Sequence, residues 1–470
     1  MQKVQKAVIF AAVITSFITT FMGSALNLSV PDMSGEFNVS AGAIGWVVTV
    51  YMLIAAAFAV PFGRIADITS RKLVLALGIA VFGAASFFSV FARGLISVVI
   101  GRGAQGFGAS MIFATNHAIL ISKFSENERG RVLGYATAST YVGLAAGPVL
   151  GGFLNYNFGW RSIFIAGCAV SAVVLVSVIF GIPSKNRDVA SEAGEAESKA
   201  ADGKKKNFDI TGNVFFIMAL LALVYGLTDI MRNSFAPYIA CAGLLLFAVF
   251  VFRELRTKSP VIDVRIFKES PAYTLANLAA LLGYGAVYAV SYLLSIYLQT
   301  VLGYNSQTAG LILIASPAVM AVLSPLAGRL SDRILPFFLA AAGMAVTALS
   351  LLIFVFVSED THILVIIGAL LLSGAGAALF SSPNTNAVMS CVSQESLGVA
   401  SSVLATMRSL GHTVSMTIIT IIVSIYIGDK TLKDAEPQML ITVMHTAFIV
   451  FTALALIGAL CSMKKPKKKG

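Results

Sequence analysis

The chain sets a few polar side chains inside long apolar runs, where water cannot reach them. Arg102 and Gln105 stand three residues apart in one run, Arg408 and His412 four apart in another, and Tyr284, Tyr288 and Tyr292 recur every four residues in a third. Such spacings put side chains on one helix face, so each set offers its groups to a single neighbour or ligand. A charge at the centre of a hydrocarbon layer costs at least ~2.5–3.5 kcal/mol, so Arg102 and Arg408 should turn inward and find partners. The chemistry within reach is recognition. Guanidinium and amide groups orient a polar solute, and tyrosine rings and hydroxyls line a mostly apolar pocket, with Tyr288 in the middle of its stripe. Asn27, in the first apolar run, adds another amide.

Proton transfer is the second chemistry. Histidine titrates near neutrality, which makes His412, and His117 closer to a helix end, candidate proton carriers; each reads equally well as a hydrogen-bonded histidine at a helix interface. All 22 Asp and Glu fall in loops or at helix ends, and Asp32 is the acidic candidate among those nearest to the apolar runs. No nucleophile beside a base, metal-ligand cluster or glycine-rich phosphate loop accompanies them, so the sequence does not read as an enzyme and requires neither cofactor nor metal. Cys168, Cys241, Cys391 and Cys461 are scattered through apolar runs without paired spacing and read as packing residues.

Positioning these groups requires an all-α integral membrane fold. Hydrophobic residues make up 57% of the chain and charged ones 12%, and the mean hydropathy is +0.87, too apolar for a water-soluble domain. Stretches of about 20 apolar residues cross the hydrocarbon core as helices, whose backbone hydrogen bonds close internally. Fourteen are expected, near 7–31, 43–63, 73–92, 95–122, 132–154, 161–182, 210–228, 235–252, 272–302, 306–327, 336–357, 362–388, 397–427 and 438–462. The stretch 183–208, rich in Lys, Glu, Ala, Ser and Gly, cannot bury enough apolar surface to fold and reads as a linker. The organisation expected is a six-helix bundle over 1–182, that linker, two additional transmembrane helices over 209–254, a second linker over 255–270, a second six-helix bundle over 271–463 and a basic tail over 464–470.

Orientation follows from Lys and Arg. Lys3, Lys6, Arg64, Arg71, Lys72, Lys123, the linkers and the tail crowd one side, whereas Arg93, Arg161, Arg232, Lys430 and Lys433 mark the other. The positive-inside rule then puts both termini on the cytoplasmic face of the cell membrane. The lysines from Lys464 to Lys469 suit anionic membrane lipids, and the reading includes no nucleic acid. Met1 leads into an apolar run without a small-residue cleavage site, so the first span is expected to be retained.

Two hinges complete the pattern. Gly63-Arg64-Ile65-Ala66-Asp67-Ile68-Thr69-Ser70-Arg71-Lys72 joins spans two and three, and a looser copy, Gly328-Arg329-Leu330-Ser331-Asp332-Arg333, joins spans ten and eleven. Two like hinges imply two like halves with pseudo-two-fold symmetry. Span five carries Gly143, Gly147, Pro148, Gly151 and Gly152. Glycines four apart leave a smooth face for close helix packing, and the proline permits a bend.

Together these features resemble the major facilitator superfamily. The first hinge is similar to its G-x-x-x-D-x-x-x-R-K loop, with Ser70 where a glycine is usual; Arg102 to Gly106 is similar to R-x-x-Q-G; the span-five glycines are similar to its antiporter motif. The two extra spans, opening on Asp209-Ile210-Thr211-Gly212, look like the fourteen-span drug:proton antiporter branch. The resemblance implies alternating access about a midplane site. The resemblance alone identifies no substrate; with the polar groups above, the expectation is proton-coupled efflux of a small amphipathic drug or metabolite by a monomer. Asn27, Arg102, Gln105, Tyr284, Tyr288, Tyr292 and Arg408 are then the substrate-binding set, and Gly63, Asp67, Arg71, Lys72, Asp332 and Arg333 form a latch between the bundles.

Two departures bear on mechanism. Span one of that branch usually begins D-x-T, whereas Met22 stands at the carboxylate position here. A buried carboxylate is the simplest device for attracting cations and exchanging protons, so its loss opens an alternative, an anionic, zwitterionic or lipid-like solute. His412 also replaces a glycine in the R-x-L-G-G pattern begun by Arg408. A membrane sensor that keeps the fold without transporting is a third reading, opposed by the intact hinges and glycine face.

Overall fold

The computed structural model describes residues 3–182, 209–257 and 264–463 apart from 125, 332, 393–396, 429 and 433; the linker at 183–208, the tail, Asp332 and the side chains of Asp67 and His117 lie outside the described set. Every regular element among the described residues is a helix. The long ones are α1 (Lys3–Ser24), α2 (Trp46–Ile68), α3 (Arg71–Val90), α4 (Leu95–Lys123), α5 (Glu126–Phe158), α6 (Arg161–Gly181), α7 (Ile210–Thr228), α8 (Ala236–Arg256), α9 (Pro271–Ile296), α10 (Ala315–Ser331), α11 (Pro336–Val355), α12 (Ile363–Ser390), α13 (Leu397–Tyr426) and α14 (Pro437–Ser462). Among the described residues, 13 helical stretches are long and apolar enough to cross a membrane, against fourteen expected. The long helix outside that set is α5, which has 13 Gly, Ala, Ser or Thr among its 33 residues against four Leu and no Ile. Small residues lower its hydropathy and bring its neighbours close.

The two halves repeat one packing scheme. In the first, α1 packs on α5 and α6, α2 on α4, and α3 on α4 and α6; in the second, α9 packs on α13 and α14, α10 on α12, and α11 on α12 and α14. Each helix thus meets the same partners as its counterpart eight helices away, which is the pseudo-two-fold relation the hinges imply. The halves meet where α2 packs on α13 and α5 on the stretch 306–331.

The extra hairpin, α7 and α8, docks through α7 onto α2 and α13, across the seam between the halves. Phe216, Leu220 and Val224 pack there with Leu53, Ala57, Val403 and Leu404. Trp46 Nε1 donates to Asp229 at 3.2 Å, and the Thr228 and Thr417 hydroxyls meet at 3.1 Å. At the hairpin's open end Asp209 caps α7, accepting from the Gly212 N–H at 2.9 Å and pairing with Arg253 at 2.9 Å. Burial opposes the charge of Asp209, but Arg253 and the capping N–H outweigh it and hold the carboxyl below its usual range.

Three helices depart from the expected continuous rods, each at the interface between the halves. After α1 the chain tightens into a 3₁₀ turn over Ala25–Ser29 before resuming as Val30–Phe37. The glycines of α5 explain the site of this break: a methyl group at Gly147 would strike Ser24, and one at Gly151 would lie 2.7 Å from Ala25 Cβ. After α9 comes a π-helical turn, Tyr297–Val301, and Gly303 then reverses the chain with a φ of 69°, a conformation that favours glycine. The tenth span is divided into Ser306–Leu313 and α10.

Candidate functional site

Arg102 sits on a built pedestal inside the first half. It is fully buried, its Nε donates to the Val47 carbonyl at 3.0 Å and its Nη1 to Gln105 Oε1 at 2.8 Å. Gln105 passes the chain on, donating to Ser86 at 2.7 Å. The guanidinium lies over the Tyr51 ring, 4.1 Å from its centroid, and Tyr51 donates to the Thr19 carbonyl at 2.8 Å. These contacts tie α4 to α1, α2 and α3, and they recover much of the cost of a buried charge through charge-assisted hydrogen bonds and a desolvated cation–π contact. One nitrogen, Nη2, has no partner.

A second polar line crosses between the halves. Tyr288 donates to Asn27 Oδ1 at 3.2 Å, and Ser295 donates to the Asn27 carbonyl at 3.2 Å. The Tyr288 and His412 rings stand 5.0 Å apart, and Tyr284 meets His412 edge-on at 6.2 Å. Arg408 lies over the Tyr284 ring at 4.6 Å. The Ser381 hydroxyl is 2.8 Å from both Tyr284 and Tyr141, so one serine joins α9 to α5 of the opposite half. Asn27 Nδ2, Arg408 Nε and both polar atoms of Asn384 are buried without partners. Inside an apolar protein each unmade hydrogen bond of this kind costs about 1–3 kcal/mol, so such groups mark a place that a ligand can satisfy.

The structure therefore brings Asn27, Tyr284, Tyr288, Arg408 and His412 together, and sets Arg102 and Gln105 beside them as part of the first half's frame. Tyr292 is buried on the same helix. Asp32 stands apart, just over a turn beyond Asn27, where it accepts from Asn155 at 2.7 Å. The span-five glycines serve two contacts. Gly143, Gly147 and Gly151 seat α1, whereas Gly152 faces the Ser306 carbonyl and Pro148 faces Gly310 across the seam. Gly63 has Ala114 of α4 as its nearest neighbour and Gly328 has Ser382 of α12, the equivalent partner. Lys72 donates to the Ile179 carbonyl of its own half at 3.1 Å, and Arg333 is exposed.

Tyr141, Ser381 and Tyr51 are the members of this site that spacing did not single out. Ser381 had a signal, since it opens the polar run Ser381-Ser382-Pro383-Asn384-Thr385-Asn386 inside an otherwise apolar span. Tyr141 and Tyr51 are single polar tips in apolar helices and carry none.

At the end away from the hinges the halves are joined by hydrogen bonds. Ala41 N–H donates to the Lys430 carbonyl at 2.9 Å, Leu432 N–H to the Ser34 hydroxyl at 3.3 Å, and the Ser306 hydroxyl to the Gly152 carbonyl at 3.2 Å. This far end is closed around the polar line.

Two helical bundles of like packing, with polar groups meeting between them, define a membrane-transport architecture. The chain belongs to the Major Facilitator Superfamily, whose family model matches residues 12–416 and again 278–469; it is a multi-pass membrane transporter and not an enzyme. Among curated relatives, the riboflavin transporter RibZ of Clostridioides difficile (strain 630) is 29% identical over 394 residues, covering 84% of this chain and 83% of that one. The multidrug resistance protein Stp of Mycobacterium tuberculosis (strain ATCC 25618 / H37Rv) is 29% identical over 449 residues, covering 93% and 80%. The methylenomycin A resistance protein of Bacillus subtilis (strain 168) is 26% identical over 406 residues, covering 85% and 84%. A crystal structure of a bacterial homologue of the human lysosomal transporter Spinster, inward-facing and unoccupied, matches with a TM-score of 0.70 at 14% identity over 100% of both chains, a likeness of fold alone.

Proposed function

We propose that this chain exports an amphipathic, acceptor-rich drug or metabolite by alternating access, driven by proton entry, with both termini cytoplasmic. The observation that carries this reading is the line Asn27, Tyr288, His412, Tyr284, Ser381 and Tyr141, which crosses from the first half into the second and back beside unspent polar groups. A solute bound there touches both halves, so its binding is linked to how they sit against each other. Unspent N–H groups near a guanidinium favour carbonyl, ring-nitrogen or anionic groups, and disfavour an isolated cation. The ring faces supply the apolar contact.

The names of the relatives support a drug or metabolite as cargo. Riboflavin, the molecule for which one is named, is a planar heteroaromatic rich in acceptors, and two others are named for drug resistance. His412, packed between two tyrosine rings, is the proposed proton carrier. The proposed latch is Asp67 and Arg71 at the first hinge.

Purified protein in liposomes tests this directly, with riboflavin as the probe and a pH gradient as the only driving force. The gradient is expected to drive riboflavin accumulation, and His412→Gln is expected to abolish the dependence on the gradient while riboflavin still binds. Indifference of wild-type movement to the gradient removes the proton coupling. Tighter binding of tetraphenylphosphonium than of riboflavin removes the acceptor-rich class.

A further inference from the structure

We propose that Asn384 is the specificity-determining residue of the central site and recognises a neutral cyclic amide or imide, a carbonyl beside an N–H on one edge of a flat ring. The proposal rests on the reading of the central line as the place where the transported solute binds. Alone among the buried amides of the described residues, Asn384 has spent neither its Nδ2 nor its Oδ1, and it is 1% exposed. Its neighbours in the same polar run are committed: the Ser381 hydroxyl meets Tyr284 and Tyr141 at 2.8 Å, Thr385 donates to the Ser381 carbonyl at 2.9 Å, and Asn386 Nδ2 donates to Ser331 at 3.2 Å.

Three helix stripes place this carboxamide. On α12, Ser381, Asn384 and Val388 follow one another at three and four residues and share a face. On α9, Asn277 lies between Tyr273 and Tyr284 on one such face, and on α13 Leu404 and Arg408 stand one turn apart. The stripes meet on either side of Asn384. Toward the centre, Ser381 bonds to Tyr284, and Arg408 lies over the same ring. Toward the other end, Val388, Tyr273 and Leu404 belong to one apolar cluster. Asn384 therefore stands between α9 and α13, at the level of Asn277 and Arg408. Asn277 gives its Nδ2 to the Tyr273 carbonyl at 3.0 Å and keeps a buried Oδ1 without a partner, and Arg408 keeps its Nε.

The idle atoms define what fits. Nδ2 and Oδ1 of one carboxamide lie side by side in a plane, so a partner that serves both carries an acceptor and a donor side by side, as a cyclic amide does. No Asp or Glu stands in α9, α12 or α13. The Arg408 charge opposes a cation, so the donor is a neutral N–H and not an ammonium. Arg408 Nε is left for a second carbonyl, which an imide supplies. The N–H between two carbonyls on the riboflavin ring has this form.

Discrimination follows from what an analogue leaves unpaired. A ring without the N–H buries Asn384 Oδ1 against a methyl group or a second acceptor, and sites built on such pairs reject the analogue more strongly than apolar walls reject a methylene. An apolar residue at 384 spares the ligand-free protein an unmet amide, so the amide fits recognition better than packing.

Riboflavin and 3-methylriboflavin, in which a methyl group replaces that N–H hydrogen, are the probes, titrated by fluorescence quenching into the full chain in nanodiscs. Wild type is expected to bind the methylated compound at least about tenfold more weakly, and Asn384→Leu, which opens no room for a methyl group, to bind the two within about twofold. Absence of discrimination in wild type, or its persistence in Asn384→Leu, overturns the proposal; where Arg408→Gln still weakens riboflavin, the central reading stands without it. If neither Arg408→Gln nor Asn384→Leu alters riboflavin binding, the central reading falls together with the proposal. Thermal midpoints of ligand-free Asn384→Leu and Asn384→Ala separate recognition from a structural role. The better tolerated of the two is expected to match or exceed wild type, and a fall of roughly two degrees or more in both assigns the amide to the frame and overturns the proposal.

Discussion

Asn27 and Asp32 stand five positions apart in the chain, yet the two places they mark are furnished differently. At the centre, a hydroxyl and two aromatic rings surround groups with hydrogens still to give: Asn27 Nδ2, Arg408 Nε and the Asn384 amide. Around Asp32, at the far end, Asn155 gives one N–H to the carboxylate at 2.7 Å and keeps a buried Oδ1 without a partner. The difference is one of charge more than of hydrophobicity: a guanidinium stands at the centre and a carboxylate at the far end, both at the interface of the same apolar bundles. It teaches that the missing carboxylate of span one is no general absence of acid chemistry. The acid stands further along the same span, beside a different set of acceptors, and the centre is left to guanidinium, amide and ring.

Closure of the far end joins the two regions, so breaking it has the largest expected effect. A methyl group at Gly152 meets the Ser306 carbonyl, and one at Gly310 meets the Pro148 carbonyl. Overpacking of this sort costs about 1–3 kcal/mol, and a bias of that size moves a two-state balance by roughly 5- to 150-fold. Gly152→Ala and Gly310→Ala are therefore expected to lengthen the distance between spin labels at Tyr156 and Asn305 and to abolish transport, while riboflavin still binds at the centre. An unchanged label distance shows that closure does not depend on these glycines.

Arg408→Gln comes next and separates the regions by charge. Hydrogen bonds to a charged group are worth about 1.5–3 kcal/mol, so central affinity for riboflavin is expected to fall roughly 10- to 100-fold, with the spin-label distance across the far end unchanged. A lengthened label distance indicates a general loosening of the fold and dissolves the contrast.

The same contrast decides what was legible beforehand. Spans, halves and the extra hairpin follow from apolar runs and the paired hinges, because the bilayer leaves helices few alternatives. Tyr288 and Arg408 were legible as intramembrane polar groups on helix faces. Tyr141 and Ser381 were not, since their pairing depends on how α5 meets α12 and no spacing within one helix encodes that. The 3₁₀ turn at Ala25–Ser29 was hidden for a related reason: its cause is the glycine face of another helix. Fourteen spans were counted where thirteen meet the criterion of length and apolarity, because the count rested on α5 and its small residues favour packing over hydropathy.

Arg102 offers a sharper division, between frame and lining. With its Nε, its Nη1 and its ring contact all committed inside the first half, Arg102→Lys loses the forked geometry and leaves Val47 or Gln105 unmatched. The expected outcome is a thermal midpoint several degrees lower, as a loss of a few kcal/mol produces in a large chain, with riboflavin affinity changed less than by Arg408→Gln. A larger effect on affinity than on the midpoint moves Arg102 from the frame to the lining.

The smallest expected effect is also the most discriminating, because it compares two tyrosines one helical turn apart. Tyr288 spends its hydroxyl on Asn27 Oδ1 at 3.2 Å and packs against His412 at 5.0 Å, which ties α9 to the first half and fixes which way the Asn27 amide faces, with its buried Nδ2 unpartnered. Tyr292 is buried next in the stripe but touches neither Asn27 nor His412 in this way. A neutral hydrogen bond contributes about 0.5–1.5 kcal/mol, so Tyr288→Phe is expected to weaken riboflavin roughly 2- to 12-fold by freeing the Asn27 amide to turn. Tyr292→Phe keeps the ring and its packing and is expected to stay within about twofold, as substitutions that remove no partner commonly do. If the two variants behave alike, the stripe acts through its ring faces and not through its hydroxyls.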